Sequence, residues 1–476
     1  MRYSFAVLFI SSTILVACGG GNVVSPAVND RPLSATDAVS VASGSSALKF
    51  FSVGTNAQRD AYGFDIVAHT DGNIYYSTLG PLLCNPGGVC TAKPGNAGRL
   101  DPATGAFTEL PLTGAPFGLT FTPDGALWAA ELWSGRLARI LPFTSTGAKE
   151  IVLPPAPSGT PGPRALTYGP DGHVWFTDFN ARRIGKLNAS GPYTSSAVTT
   201  YPVPNGPPGT IGIKPRPFGI TTGSDGNIWF TDRINGVVYR STTGGIMTPF
   251  ITPETKALGG NDTSTPSYLA RGSDNLLYLT QTGSSTGNHG FFDRLTTAGA
   301  FTQLPLAPGG LPYLAQAGKD LVAFTDLGNS AIGIYNTSTR RFVEIPTTPI
   351  LNSGRHSPNG VTVASDGSLW FTCYGPVTSG ALCVGHLVLG AVWSVFPGTS
   401  ITVGHGANAS PQLIGIAETG NSGPFTATSS KAAVAKVAPV TGEDHNFVIT
   451  GEAPGNATIT LKDAHGRVVA LLIKVQ

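Results

Sequence analysis

The sequence predicts an all-β protein: a seven-bladed β-propeller followed by a small immunoglobulin-like β-sandwich. Three observations predict it. A phrase recurs along the chain, made of an apolar strand, an Asp-Gly turn, an aromatic strand and Thr-Asp; four copies are clear, and weaker ones carry Asp71-Gly72, Asp274-Asn275 and a degenerate Gly318-Lys319-Asp320. Its turn aspartates stand at Asp71, Asp124, Asp171, Asp225, Asp274, Asp320 and Asp366, roughly 46 to 54 residues apart, the period of a stacked repeat. The 62 Gly and 38 Pro of the 476 residues fall between aromatic runs, where they mark tight turns rather than an unpatterned disordered tract.

In chain order, the N-terminus reads as a targeting segment. Arg2 supplies positive charge, and Phe5 to Val16 is an apolar run too short to span a bilayer comfortably. It ends in Leu15-Val16-Ala17-Cys18 followed by three glycines. That resembles a bacterial lipoprotein lipobox, which implies cleavage before Cys18 and lipid on that residue. It further implies export, anchoring to the cell envelope and, with Gly19 after the cysteine, sorting to an outer membrane where the host has one. Residues 1–18 are then signal peptide and lipobox. Residues 19–47, rich in Ser, Ala, Val, Asn and Gly without a period, are expected to be a flexible tether.

Residues 48–398 carry the repeat. Clear copies are Gly118-Leu-Thr-Phe-Thr-Pro-Asp-Gly-Ala-Leu-Trp128 and Gly360-Val-Thr-Val-Ala-Ser-Asp-Gly-Ser-Leu-Trp370. Each repeat holds four strand-like stretches. In the third they are Arg164 to Tyr168, Val174 to Thr177, Arg183 to Leu187 and Ala197 to Val203. Asp-Gly suits a two-residue hairpin turn because it tolerates positive φ. A four-stranded sheet cannot bury both its faces alone, but sheets stacked radially can. Leu48 to Val53 precedes the first repeat and is expected to pair with the last, closing the ring.

Residues 399–476 lack the repeat. Short strand candidates run over 400–403, 413–416, 434–437, 447–450, 457–460 and 468–475, which suggests a small β-sandwich. Ala453 to Thr460 followed by Asp463-Ala-His-Gly466 resembles the end of a bacterial immunoglobulin-like domain of group 2. Such domains are spacers or adhesion modules, which implies a protein partner through this region.

Five cysteines are present. With Cys18 lipidated, Cys84, Cys90, Cys373 and Cys383 allow three pairings. The local pairs, Cys84–Cys90 and Cys373–Cys383, each close a short loop, and export permits disulfides.

Up-and-down strands fix which loops share a face. The Asp-Gly turns form one face and are short. The opposite face gathers the long connections, 154–163, 204–217, 253–266 and 346–358, with the loops 79–98, 281–292 and 373–385. Long loops on a rigid scaffold are where function concentrates. Two rings line that face. One precedes the inner strands: Tyr62 or Gly63, then Phe117, Arg164, Phe218, Tyr268, Tyr313 and Asn359. Its composition suits an apolar or aromatic ligand with an anionic or carbonyl group, or else plugs the channel. The other ends the second strands: Glu131, Asp178, Asp232 and Asp326, with Gln281 and Cys373. Its recurrence across repeats favours turn capping over metal binding or catalysis.

The segment Pro217 to Asp232 (Pro-Phe-Gly-Ile-Thr-Thr-Gly-Ser-Asp-Gly-Asn-Ile-Trp-Phe-Thr-Asp), with Arg-Ile-Gly-Lys-Leu at 183–187, resembles the repeat of the virginiamycin B lyase (streptogramin lyase) family over roughly residues 60–395. The resemblance implies opening of a cyclic depsipeptide by ester elimination, a histidine base before an inner strand, and magnesium with acidic residues nearby. The family pattern Glu-Pro-His-Gly before the seventh inner strand stands here as Ser357-Pro358-Asn359-Gly360. The preceding Pro-His is Pro312-Tyr313. Asparagine cannot serve as a general base. His356 and His289 are the histidines on nearby loops.

A formal net charge of +2 and 12 % charged residues exclude a basic nucleic-acid binder. No phosphate loop, zinc motif or Ser-His-Asp spacing motif supplies another chemistry. The expected function is therefore binding of a small-molecule or peptide-like ligand at the loop-rich axial face. A lyase with a relocated base and an adhesion protein are the alternatives.

Overall fold

A computed structural model describes residues 39–40 and 47–53. From 62 onward it describes all but 81, 85–89, 93, 142, 144–146, 158–159, 258–264, 284–289, 305, 307–309, 319, 339, 348–357, 374–381, 390–393, 397–399, 407–410, 418–423, 442–445 and 464–467. Cys18, His289 and His356 lie outside the described residues.

The regular structure of the described residues is almost entirely strand, with one short helix at Pro253–Ala257 and one 3-10 turn at Ser195–Ala197. Six sheets follow one plan, four antiparallel strands in sequence order from inner to outer, and a seventh has three such strands completed by the N-terminal segment. In sheet three these are Pro163–Tyr168, His173–Asp178, Arg183–Asn188 and Thr199–Pro202. The inner strands of the others begin at Tyr62, Pro116, Pro217, Pro266, Pro312 and Pro358. Each inner strand packs beside that of the next sheet, and the seventh, Pro358–Val363, returns to the first, Tyr62–Ala68. Ala47–Val53 supplies the fourth strand of sheet seven, pairing with Leu382–Val388 so that Phe51 faces Val384, and Val39–Ser40 adds a short fifth strand outside it. The expected closing strand is thus in place.

Second strands are buried on both faces because a neighbouring sheet lies on each side. Trp128, Trp175 and Trp229 are wholly enclosed there. Space for the next large ring comes from strand three. Gly98, Gly185, Gly333 and Gly385 stand directly opposite Tyr76, Phe176, Phe324 and Phe371. A Cβ at any of them would collide with the ring, so the glycine is required by close approach. This accounts for Gly185 in Arg-Ile-Gly-Lys-Leu. Lys186 beside it donates to Asp171 Oδ2 at 3.0 Å, and Arg183 donates through Nη2 to the Pro154 carbonyl at 2.6 Å.

The turns differ from the two-residue form expected. In sheet two, Gly125 N–H donates to the Thr122 carbonyl and Thr122 N–H to the Ala126 carbonyl. Three residues, Pro123-Asp124-Gly125, therefore make the loop. Only the glycine takes positive φ, +79°, the arrangement of a type I turn followed by a G1 bulge. The aspartate is chosen for its carboxylate: Asp171 and Asp225 accept from Trp175 and Trp229 Nε1 at 2.9 and 3.1 Å.

Two further four-stranded sheets follow. One orders Ser394–Phe396, Gln412–Ala417, Asn446–Gly451 and Ala435–Pro439. The other orders Ser400–Val403, Val468–Val475, Gly455–Lys462 and Thr426–Ser429. Ile414, Phe447, Ile459 and Leu471 meet in their common core. The first of these strands starts ahead of residue 399. Gly415 lies against the Glu344 carbonyl of sheet six, and Glu344 N–H donates to Asn446 Oδ1 at 3.1 Å.

Candidate functional site

Each inner strand opens with a bulge: in six sheets two of its residues face one residue of the second strand, and in sheet two a single residue is inserted. Arg164 and Ala165 lie between the pairs Pro163↔Asp178 and Leu166↔Phe176. A bulge bends the strand and re-aims a side chain, here toward the axis. By register and hydrogen bonding the bulge residues are Phe64, Arg164, Phe218, Ser267, Tyr313 and Asn359. Phe117 is the single extra residue in sheet two. Sheet one therefore contributes Phe64 rather than Tyr62 or Gly63, and in sheet five the equivalent residue is Ser267, with Tyr268 one place later. The shift arises because Phe64 and Asp65 sit in the bulge of sheet one, a place that counting from the turn does not reveal.

These side chains come together as a packed axial cluster. Phe64, Phe117, Phe218, Tyr268 and Tyr313 belong to one core. Phe218 stands edge-on to Tyr268 at 5.3 Å and to Tyr313 at 6.1 Å. Phe64 tilts onto Phe117 at 4.4 Å. Arg164, only 1 % exposed, lies over Phe218 at 3.7 Å and donates through Nη2 to the Tyr313 hydroxyl at 2.6 Å. The ring side chains thus pack on one another at the axis. Asn359 is half-buried, and its Nδ2 donates to the Gly63 carbonyl at 2.8 Å.

Residues directly after the second-strand acids also reach this cluster. Phe179 packs on Phe218 at 6.0 Å, and the guanidinium of Arg233 lies 4.7 Å from the same ring. The sequence reading missed both, and Phe64. A signal for Arg233 exists: Leu132, Phe179 and Leu327 at the equivalent place are apolar, so a charge there stands out.

The acidic ring is engaged in the backbone. Asp178 Oδ1 accepts from Gly162 N–H at 2.7 Å, and its Oδ2 pairs with Arg183 Nε at 2.9 Å. Asp232 accepts from Arg216 N–H and from Asn235 Nδ2. Asp326 accepts from Leu311, Gly328 and Asn329 N–H groups, and Glu131 from Gly114 N–H and Ser134. Each acid ties the incoming connection to the end of the second strand, which puts those connections on one face. Burial pushes Glu131 up to about 7 and Asp326 up to about 6, and raises Asp178 and Asp232. Gln281 of sheet five instead donates to Glu254 and Asp293.

Cys373 and Cys383 are cross-strand partners joined by a disulfide. Cys84 and Cys90 are opposite one another in the backbone register; their side chains lie outside the described residues. Among the described residues no group of three or more His, Cys, Asp or Glu side chains gathers as metal ligands. The axial donors are guanidiniums, phenols and a carboxamide, which do not fit the divalent cation implied by the family resemblance.

Residues 105–383 match the virginiamycin B lyase family. Among solved structures, virginiamycin B lyase from Staphylococcus aureus is 26 % identical, with TM-score 0.54, over 72 % of this chain and 99 % of that one. A catalytically inactive variant of that enzyme with quinupristin is also 26 % identical, with TM-score 0.55 and the same coverage. A WD40-repeat structure at 12 % identity and TM-score 0.50, covering 72 % of this chain and 97 % of that one, shares the propeller fold alone. No curated protein matches the chain in sequence.

Proposed function

The chain belongs to the virginiamycin B lyase family, and from that premise we propose a binding protein rather than a lyase: an exported, lipid-anchored propeller that takes a small or peptide-like ligand at its loop-rich axial face. One observation carries this reading. At the place of the family's histidine base stands Asn359, whose carboxamide is committed to the Gly63 carbonyl. It has no site that titrates near neutrality. Tyr313 replaces the other histidine, and its hydroxyl accepts from Arg164. The inactive relative with quinupristin supports a cyclic peptide-like ligand class.

The finer architecture belongs to the same proposal. The seven sheets are the blades of one propeller, which the unbroken cycle of inner strands supports. The C-terminal pair of sheets is an immunoglobulin-like module open to a protein partner, supported by its two-sheet core. The division is 1–18 signal peptide and lipobox, 19–47 tether, 48–398 propeller and 399–476 sandwich. Cys18 anchors the chain to the cell envelope, to the outer membrane in a Gram-negative host.

Incubation of the purified chain with a type B streptogramin tests the proposal. Calorimetry is expected to show saturable binding, and chromatography is expected to recover the cyclic compound unchanged. Accumulation of the linear isomer would overturn the reading. Loss of that turnover in His356→Ala would identify a relocated base.

A further inference from the structure

We propose that the axial cluster is a built receptor for a singly charged anion, with Arg164 as its principal ligand and the Tyr268 hydroxyl as a second donor.

Arg164 is enclosed by aromatic faces. Its guanidinium carbon lies 3.7 Å from the Phe218 ring centroid, 4.9 Å from Phe117, 5.5 Å from Phe64 and 5.9 Å from Phe179. Nη2 donates to Tyr313, but Nε is buried without a partner. Among the described residues no carboxylate forms an ion pair with it. The Tyr268 hydroxyl is likewise buried without a hydrogen-bond partner, and its ring stands 5.3 Å from Phe218 and 5.4 Å from Tyr313. Two unmet donors therefore lie in one aromatic cluster.

A guanidinium does not shed its proton at physiological pH. Aromatic faces return only part of what burying an ion costs. A second cation worsens the balance: Arg233 lies 4.7 Å from the same Phe218 ring, and burial, with Arg164 nearby, draws it down to about 10. The acid of this neighbourhood, Asp65, spends its oxygens on the N–H groups of Ile66 and Leu119. Burial pushes its carboxyl up to about 7, so it supplies less than a full negative charge at neutrality. An anion accepting from Arg164 Nε and Tyr268 restores both hydrogen bonding and charge. It has two sources, a free halide or the carboxylate end of a larger ligand. The site goes beyond the proposed ligand-binding role, because it stands whether or not a depsipeptide binds.

The test is thermal melting of the full chain at constant ionic strength in gluconate, with bromide or acetate replacing it stepwise. Either ion is expected to raise Tm saturably by about 2–4 °C. The rise is expected to vanish in Arg164→Met, to need roughly tenfold more anion in Tyr268→Phe, and to persist in Arg271→Met, a change at an exposed strand end. Bromide alone acting identifies a free inorganic ion; acetate acting at lower concentration identifies a ligand carboxylate. If Arg164→Met does not fold, Tyr268→Phe and anomalous scattering from bromide-soaked crystals decide. No saturable rise, an equal rise in Arg164→Met, or bromide absent from the axis would overturn the proposal. Failure with the streptogramin leaves these outcomes unchanged, so the two readings fail separately.

Discussion

The hydroxyl of Thr231 donates to the carbonyl oxygen of Ser267, 2.8 Å away on the next sheet, and accepts from Gly219 N–H on its own sheet at 2.9 Å. Thr177 does the same between Ala165 and Phe218, and Thr372 between Gly360 and Phe64. The threonine of Trp-Phe-Thr-Asp is therefore a latch between neighbours, and it holds the bulge that aims residues at the axis. Thr231→Val keeps the shape and removes both bonds. It is expected to cost about 1–3 kcal/mol, since buried partners are left unmet, and urea denaturation measures it.

Gly333 faces Phe324 with no room for a side chain. Gly333→Val is expected to destabilise by about 1–3 kcal/mol through overpacking. Phe324→Leu in the same chain should recover part of that loss. Additive losses in a double-mutant cycle would show that the collision is not the cause.

His386 stacks on Trp370 at 3.9 Å with its Nε2 buried and unpartnered. Burial draws its pKa from 6.5 down to about 4, against the pull of Asp366. The folded state prefers the neutral ring, so this stability is complete above pH 6.5 and is lost as pH falls through about 4. Replacing it by His386→Phe is expected to flatten the melting temperature across that window, leaving it unchanged at pH 8.

Phe50, on the N-terminal strand, meets Phe371 edge-on at 6.0 Å. Closure of the seventh sheet relies on this strand, which comes from the far end of the sequence. Phe50→Ala is expected to cost about 3–5 kcal/mol. Hydrogen exchange should rise first along residues 382–388, the edge that the strand covers. Protection unchanged there would argue that the closing strand adds little.

Gly415 meets the Glu344 backbone where the C-terminal sheets rest on sheet six. Gly415→Val is expected to unseat that contact. Limited proteolysis should then cut more readily near 389–411, while the main melting transition moves little.

Much of the plan was legible in the chain. The period, the turn glycines and the aromatic second strands specify repeated four-stranded sheets, because burial on both sides leaves few other sequences for a second strand. The closing role of residues 48–53 was also legible, as an apolar strand without a hairpin partner of its own. Less legible was the axis. Tyr268 reads as a ring member by position but sits one place past it, since a bulge changes register without leaving a mark in the hydrophobic alternation. The acids of Thr-Asp read as capping residues, and each meets loop N–H groups; which N–H it meets depends on a connection of unpredictable course.

By itself, the sequence determined the family, the repeated sheets and the loss of the histidine pattern at Asn359 and Tyr313. Only the tertiary structure decided that Arg164 and Arg233 both lie against the Phe218 ring. Their sheets are separate in the chain and converge at the centre, where spacing along the sequence carries no information about distance. A lone arginine is unremarkable as a letter; enclosed by four aromatic rings with an unmet Nε, it becomes a charge that must be balanced.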